Sequence, residues 1–120
     1  MGRRGKFLLC PLDQGLELVL HLGMTGVLHF GVADAYARAR ITLDDGRELV
    51  FRDVRRFGGL AVVEAGAYGP LPTLAQLGPE PLSDEFDPHR FARDLAATRA
   101  PVKAFLLSQR PVAGVGNIYA

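Results

Sequence analysis

Residues 51–59 have the sequence Phe-Arg-Asp-Val-Arg-Arg-Phe-Gly-Gly and interrupt the strand pattern on either side. Residues 47–51 begin with two polar side chains and end with three apolar ones, and residues 60–63 form a continuous apolar run. Three arginines, one acid and an aromatic ring therefore follow the end of a strand, beside two glycines that permit a tight turn. We expect this segment to present its side chains outward.

Two interpretations of this segment are open. Arg55 and Arg56 carry donors that suit phosphate oxygens or the edge of guanine, and Phe57 can act as a wedge against a base. The alternative is a solvated loop in which Asp53 pairs with an arginine and Phe57 folds back into the core. The stretch alone favours the solvated loop, because most charged clusters on loops are solvated.

Short strands flank this segment and predict an antiparallel β-sandwich or barrel over residues 1–65. Leucines at 16, 18, 20 and 22 predict a strand with its leucine face toward the core and His21 on the opposite face. The turn at 44–46, Asp-Asp-Gly, predicts a hairpin that pairs residues 36–43 with residues 47–52. On the first of these strands, we expect Arg38 and Arg40 to lie on an exposed face.

The turn at residues 23–26, Gly-Met-Thr-Gly, places an apolar side chain at a strand tip. An exposed Met24 there indicates contact with another molecule, because methionine adapts to irregular apolar surfaces. Met24 could equally cap the open end of a sandwich. A half-exposed strand histidine is as good an interpretation of His21 as any functional role.

After residue 65 the composition changes. Residues 66–86 are rich in proline and predict a linker, with one helical turn near residues 74–77. Asp87 and Pro88 are typical of a helix start, and we expect that helix to extend to about Ala97. A second helix opens at Pro101 and includes Gln109 on its apolar face. The glycines at 114 and 116 lead into a further helix, either as an anion site or as an ordinary connection.

Composition and charge limit the function classes. With 120 residues and 48% hydrophobic composition, the chain can bury a core. Because 14 basic and 13 acidic residues give a net charge of +1, any contact with nucleic acid depends on local basic clusters. The single cysteine, Cys10, excludes an internal disulfide and fits a core role. Without a membrane-length apolar run or a signal peptide, we expect a cytoplasmic location and no membrane partner.

Five motifs, in order, resemble the bacterial formamidopyrimidine-DNA glycosylases of the Fpg/Nei family. The resemblance implies an α+β protein in which an antiparallel β-sandwich is followed by a linker (66–86) and the start of a helix-two-turn-helix DNA-binding domain (87–120). The motifs are Arg3-Arg4-Gly5-Lys6-Phe7-Leu8-Leu9, His21-Leu22-Gly23-Met24-Thr25-Gly26, Asp53-Val54-Arg55-Arg56-Phe57-Gly58, Leu77-Gly78-Pro79-Glu80-Pro81-Leu82 and Val112-Ala113-Gly114-Val115-Gly116-Asn117-Ile118-Tyr119-Ala120.

The resemblance also implies residue roles. Three side chains would fill the space left by a flipped base and face the base opposite it: Met24, Arg55 and Phe57. Three would contact phosphate: Lys6, His21 and Asn117. Lys6 would also take part in proton transfer during strand cleavage. Further DNA contacts would come from Tyr36, Arg56 and Thr98, although Tyr36 stands where the family often has a histidine and Thr98 where it has a basic run.

The implied function is a base-excision-repair DNA glycosylase and AP lyase that removes oxidised purines, such as 8-oxoguanine and formamidopyrimidines. Its partner would be double-stranded DNA with an oxidised purine or an abasic site, and the protein would be a monomer. The family's nucleophile is an N-terminal proline followed by a glutamate, whereas this chain begins Met1-Gly2-Arg3.

The family's four-cysteine zinc finger is also absent from this sequence. We therefore expect a central fragment, inactive by itself and without a cofactor, since zinc belongs to the full-length family protein. Two alternatives stay open: a non-catalytic module that binds damaged DNA, and a truncated product without function.

Overall fold

The computed structural model describes residues 1–120 and contains seven strands and three short α-helices. The strands are β1 (Gly2–Arg4), β2 (Phe7–Pro11), β3 (Leu16–His21), β4 (Val27–Phe30), β5 (Ala37–Thr42), β6 (Glu48–Arg52) and β7 (Gly59–Glu64). The helices are α1 (Pro72–Ala75), α2 (Pro88–Ala97) and α3 (Val102–Leu107). The strands form a four-stranded sheet in the order β1-β2-β3-β7 and a three-stranded sheet in the order β4-β6-β5. Antiparallel sheets combined with short helices confirm the predicted α+β class.

The chain divides into two compact units. The first consists of residues 1–18 and 62–120, and the second of residues 19–61. The apolar side chains buried in the first unit are Leu9, Val63, Leu74, Val112 and Ala113; those buried in the second are Val19, Leu20, Val50 and Phe51. Asp53, in the second unit, is the one buried charged residue of the chain.

The β5–β6 hairpin of the second unit confirms the turn that Asp44-Asp45-Gly46 predicts. The amide of Leu43 donates to the carbonyl of Arg47 at 2.9 Å and closes the turn. β6 also pairs with β4, so that it is the central strand of its sheet. A bulge between Ala37 and Ala39 shifts the register of β5 near its start.

Two predictions about strand faces are each wrong at one residue. Leu20 is buried as predicted, but Val19, which lies on the same face as His21, is buried as well, so both faces of β3 are covered at this point. On β5, Arg40 is exposed as predicted, whereas Arg38 is half-buried. Its Nε donates to the carbonyl of Asp53 at 2.8 Å, and Asp53 lies just beyond the end of β6.

The helical region of the first unit follows its local signals. Asp87 caps α2, since its side chain accepts a hydrogen bond from the amide of His89 at 2.8 Å. Gln109 is not on α3 as predicted: the helix ends at Leu107, and Gln109 has a left-handed φ of +64°. The predicted further helix is a single turn, in which the amides of Tyr119 and Ala120 donate to the carbonyl of Gly116.

None of the helices is both long enough and apolar enough to cross a lipid bilayer. Cys10 is half-buried, which is less than its predicted core role requires.

Replacing Asp87 with alanine should lower the free energy of unfolding by about 1 kcal/mol, because the first turn of α2 loses its side-chain acceptor. Urea denaturation followed by circular dichroism measures the change. Asp84→Ala is the matched control, since Asp84 is an exposed acid just before the helix. Equal effects of the two substitutions would contradict a capping role for Asp87.

Candidate nucleic-acid interface

Two loops of the second unit meet. We call residues 22–26 the tip loop and residues 53–58 the arginine loop. The amide of Gly26 donates to the carbonyl of Leu22 at 2.9 Å and closes the tip loop. Gly23 has a φ of +65°, and a Cβ there would lie 2.6 Å from backbone atoms of Phe57 and Gly58. Only glycine therefore allows the two loops to touch at this point.

The two loops bring together the three side chains predicted to fill a space in DNA. Met24 and Phe57 are 73% and 56% exposed. A guanidinium nitrogen of Arg55, Nη1, lies 3.5 Å from the Sδ of Met24, and its Cζ lies 4.5 Å from the centre of the Phe57 ring. We call this exposed group the wedge cluster. The alternative in which Phe57 folds back into the core is wrong, and an exposed Met24 does not cap a core.

Asp53 lies beneath the wedge cluster. One carboxylate oxygen accepts a hydrogen bond from the hydroxyl of Thr25, and the other accepts from the amide of Gly58 at 2.8 Å. The Thr25 hydrogen bond, followed by that of Gly58, holds the pKa of Asp53 below its usual range. Its carboxylate thus binds groups other than an arginine side chain, which corrects the solvated-loop interpretation.

The further predicted contacts occupy separate positions. Arg56 is exposed, has a left-handed φ of +59°, and lines an open cleft of about 530 Å³ together with Arg38. Tyr36 is 44% exposed, and the Cζ of Arg52 lies 5.0 Å from the centre of its ring. Thr98 caps the end of α2 in the first unit, where its hydroxyl accepts from the amide of Ala100 at 3.1 Å.

Lys6 lies beside the glycine-rich stretch of the first unit. Its Nζ donates to the carbonyl of Val115 at 3.0 Å and lies 3.4 Å from the position that a Cβ on Gly116 would occupy. Asn117, the next residue, is exposed. The structure therefore brings the predicted phosphate contacts Lys6 and Asn117 to one place. His21 belongs to the second unit, where its Nδ1 accepts from the amide of Gly23 at 3.2 Å.

Gln109 organises this glycine-rich stretch through its side chain, a role that sequence pattern alone does not predict. Its amide group donates to the carbonyl of Val115 at 2.7 Å and accepts from the amide of Gly114 at 2.8 Å. The backbone carbonyl of Gln109 accepts a hydrogen bond from the amide of Gly78 at 2.8 Å. The only hint in the sequence is that a polar side chain precedes the glycines at 114 and 116, since the backbone groups of a glycine-rich loop need hydrogen-bond partners.

Glu80 fixes the turn that carries Lys6. Its carboxylate accepts from the amide of Gly5 and pairs with Arg3 at 3.1 Å. The Gly5 hydrogen bond, more than the charge of Arg3, lowers the pKa of Glu80. The motif at residues 77–82 contained Glu80 without indicating this role. No three His, Cys, Asp or Glu side chains of residues 1–120 lie close enough to hold a metal ion.

Comparison with protein families gives two matches. Residues 1–60 match the family model described as the formamidopyrimidine-DNA glycosylase N-terminal domain, and residues 77–120 match that of the formamidopyrimidine-DNA glycosylase H2TH domain. A formamidopyrimidine-DNA glycosylase from Thermus thermophilus is 52% identical over 120 residues, which are 100% of this chain and 44% of that protein. The chain therefore spans less than half of the length of this relative.

Solved structures give the same result. The MutM (Fpg) protein of Thermus thermophilus has a TM-score of 0.90 at 52% identity, over 98% of this chain and 44% of that one. Lactococcus lactis Fpg, in a complex with FAPY-dG-containing DNA, has a TM-score of 0.86 at 30% identity, over 98% of this chain and 46% of that one.

The geometry at Glu80 predicts a pH effect on stability. Because its pKa is lower in the folded chain than in the unfolded chain, its charge stabilises the fold above about pH 4, and this contribution is lost as the pH falls through the folded pKa. Glu80→Gln should therefore remove part of the decline in the urea midpoint between about pH 5 and pH 2. The control is Glu85→Gln at an exposed linker acid; identical pH profiles for the parent chain and Glu80→Gln would contradict the assignment.

Proposed function

We propose, because this chain belongs to the formamidopyrimidine-DNA glycosylase family, that it supplies the damage-recognition surface of a base-excision-repair DNA glycosylase and AP lyase. The substrates would be oxidised purines such as 8-oxoguanine and formamidopyrimidines, and the partner would be double-stranded DNA with such a base or an abasic site. The wedge cluster carries this proposal, because two large apolar side chains are exposed together beside a guanidinium group, and exposed apolar patches mark binding sites.

The wedge cluster has the chemistry that base flipping requires. An extruded base leaves an unstacked space and an unpaired cytosine on the opposite strand. Met24 and Phe57 supply apolar surface for the neighbouring bases. Arg55 supplies donors for the acceptors of the cytosine, and its stacking on Phe57 orients the guanidinium group.

Phosphate contacts would come from Lys6, Asn117 and His21. Lys6 and Asn117 are supported by their common position beside Gly116, where Lys6 is exposed and charged. Lys6 would also transfer a proton during strand cleavage. Tyr36, Arg56 and Thr98 are proposed as outer contacts, and Arg56 either binds phosphate or supports its own loop.

Residues 1–65 would belong to the catalytic β-sandwich domain, residues 66–86 to the linker and residues 87–120 to the helix-two-turn-helix domain. The protein would act as a monomer in the cytoplasm. The resemblance assigns zinc to a cysteine finger of the full-length family protein, and zinc does not fit these residues, since Cys10 is the single cysteine and no cluster of ligands is present. No step of the proposed function passes through zinc.

Alanine at Met24 or Phe57 should weaken binding to a duplex with an abasic-site analogue more than binding to the intact duplex. Each stacking contact is worth about 1 to 3 kcal/mol. Fluorescence anisotropy with the 120-residue chain and the two duplexes measures both affinities. Val32→Ala is the control, because Val32 is 90% exposed in the same unit and lies outside the wedge cluster. Equal losses on both duplexes would count against void filling.

The charge of Lys6 should determine the salt dependence of binding. Lys6→Ala should reduce the slope of log affinity against log salt by about one, whereas Asn117→Ala should weaken binding and leave the slope unchanged. Titrations at several salt concentrations give the slopes. Lys103→Ala, an exposed lysine of α3, is the matched control. A slope that is the same for the parent chain and Lys6→Ala would exclude an ion pair between Lys6 and phosphate.

A further inference from the structure

We propose that Thr25 is a positioning residue: its hydroxyl links the tip loop to the arginine loop, so that the wedge cluster meets DNA as one rigid surface. The DNA part of this inference rests on the proposed function. The link between the loops is a property of the second unit alone and can be tested without DNA.

The hydroxyl of Thr25 makes two hydrogen bonds to the arginine loop. It donates to a carboxylate oxygen of Asp53, and it accepts from the amide of Arg55 at 3.2 Å. A single hydroxyl thus donates to one residue and accepts from another that lies two positions further along the chain. Thr25 directly follows Met24, so these bonds fix the chain at the base of the methionine.

Asp53 transmits the restraint to the far end of the arginine loop. Its second carboxylate oxygen accepts from the amide of Gly58, the residue after Phe57. Its backbone is also held, since its amide donates to the carbonyl of Tyr36 at 3.1 Å and its own carbonyl accepts from Arg38. Because Asp53 is fully buried, water cannot replace a lost donor without opening the loop.

The other contacts between the two loops are less directional. The contact of Arg55 with the Sδ of Met24 is 3.5 Å long, and thioether sulfur is a weak acceptor. The close approach of Gly23 to Phe57 and Gly58 sets the distance between the two loops, but packing of this kind needs no hydrogen bond and therefore has no preferred direction. The stacking of Arg55 on Phe57 lies within the arginine loop. The hydroxyl of Thr25 therefore determines how Met24 is placed relative to Arg55 and Phe57.

Amide hydrogen exchange in the 120-residue chain tests the link. Gly58 is the reporter, because its amide bonds to Asp53 and not to Thr25. Thr25→Val should speed its exchange about tenfold, since the carboxylate loses the donor that holds it in place. Thr25→Ser keeps the hydroxyl and should restore slow exchange, and Thr42→Val, at an exposed strand threonine, should have no effect.

The amide of Leu43, which bonds to Arg47 in the hairpin of the same unit, separates a local effect from unfolding. Its exchange should be the same in all variants. Unchanged exchange at Gly58 in Thr25→Val, or equal acceleration at Gly58 and Leu43, would overturn the link.

Affinity for the abasic duplex relative to the intact duplex tests the positioning role. Thr25→Val should reduce this ratio about tenfold, and Thr25→Ser should restore it, because positioning needs only the hydroxyl. Faster exchange at Gly58 with an unchanged ratio would overturn the positioning role. If the parent chain shows no preference for the abasic duplex, the proposed function fails, and the exchange experiment still decides whether Thr25 links the loops.

Discussion

The buried carboxylate of Asp53 is the constraint on which the second unit depends. A charge without access to water is tolerated only when hydrogen-bond donors surround it, and the two loops supply them from Thr25 and Gly58. The arginine loop must reverse direction to bring the amide of Gly58 to Asp53, and the left-handed conformation of Arg56 contributes to that reversal. Residues 55–57 are exposed, and Arg55 and Phe57 stack at the surface.

The first unit uses the same principle with different residues. Glu80 and Gln109 hold loop backbone through their side chains, and the exposed groups Lys6 and Asn117 are carried on the segments they hold. In both units, most residues with a proposed contact to DNA are exposed, His21 and Thr98 being half-buried, and the residues that place them are partly or fully buried. A rigid support of this kind lowers the cost of ordering side chains when a ligand binds.

The sequence predicted what depends on neighbouring residues and missed what depends on distant ones. The hairpin turn at residues 44–46 and the cap at Asp87 were found because their signals are local. The wedge cluster was assigned through family resemblance, and geometry then showed that its members touch. The partners of Asp53, Arg38 and Gln109 were missed, because each bonds to backbone that only the folded chain brings near. The alternation of apolar residues does not predict that Val19 and Leu20 are both buried, for the same reason.

Insertion of the wedge cluster into DNA can be observed directly by nuclear magnetic resonance. Nuclear Overhauser effects would be measured between the 120-residue chain, labelled at the Met24 methyl group and the Phe57 ring, and a duplex with a central abasic-site analogue. If Met24 and Phe57 fill the space of the missing base, both residues show effects to base protons on either side of the abasic position, and neither shows them with an intact duplex. Effects confined to sugar protons, or absent from Met24 and Phe57 while the duplex is bound elsewhere, would contradict this insertion.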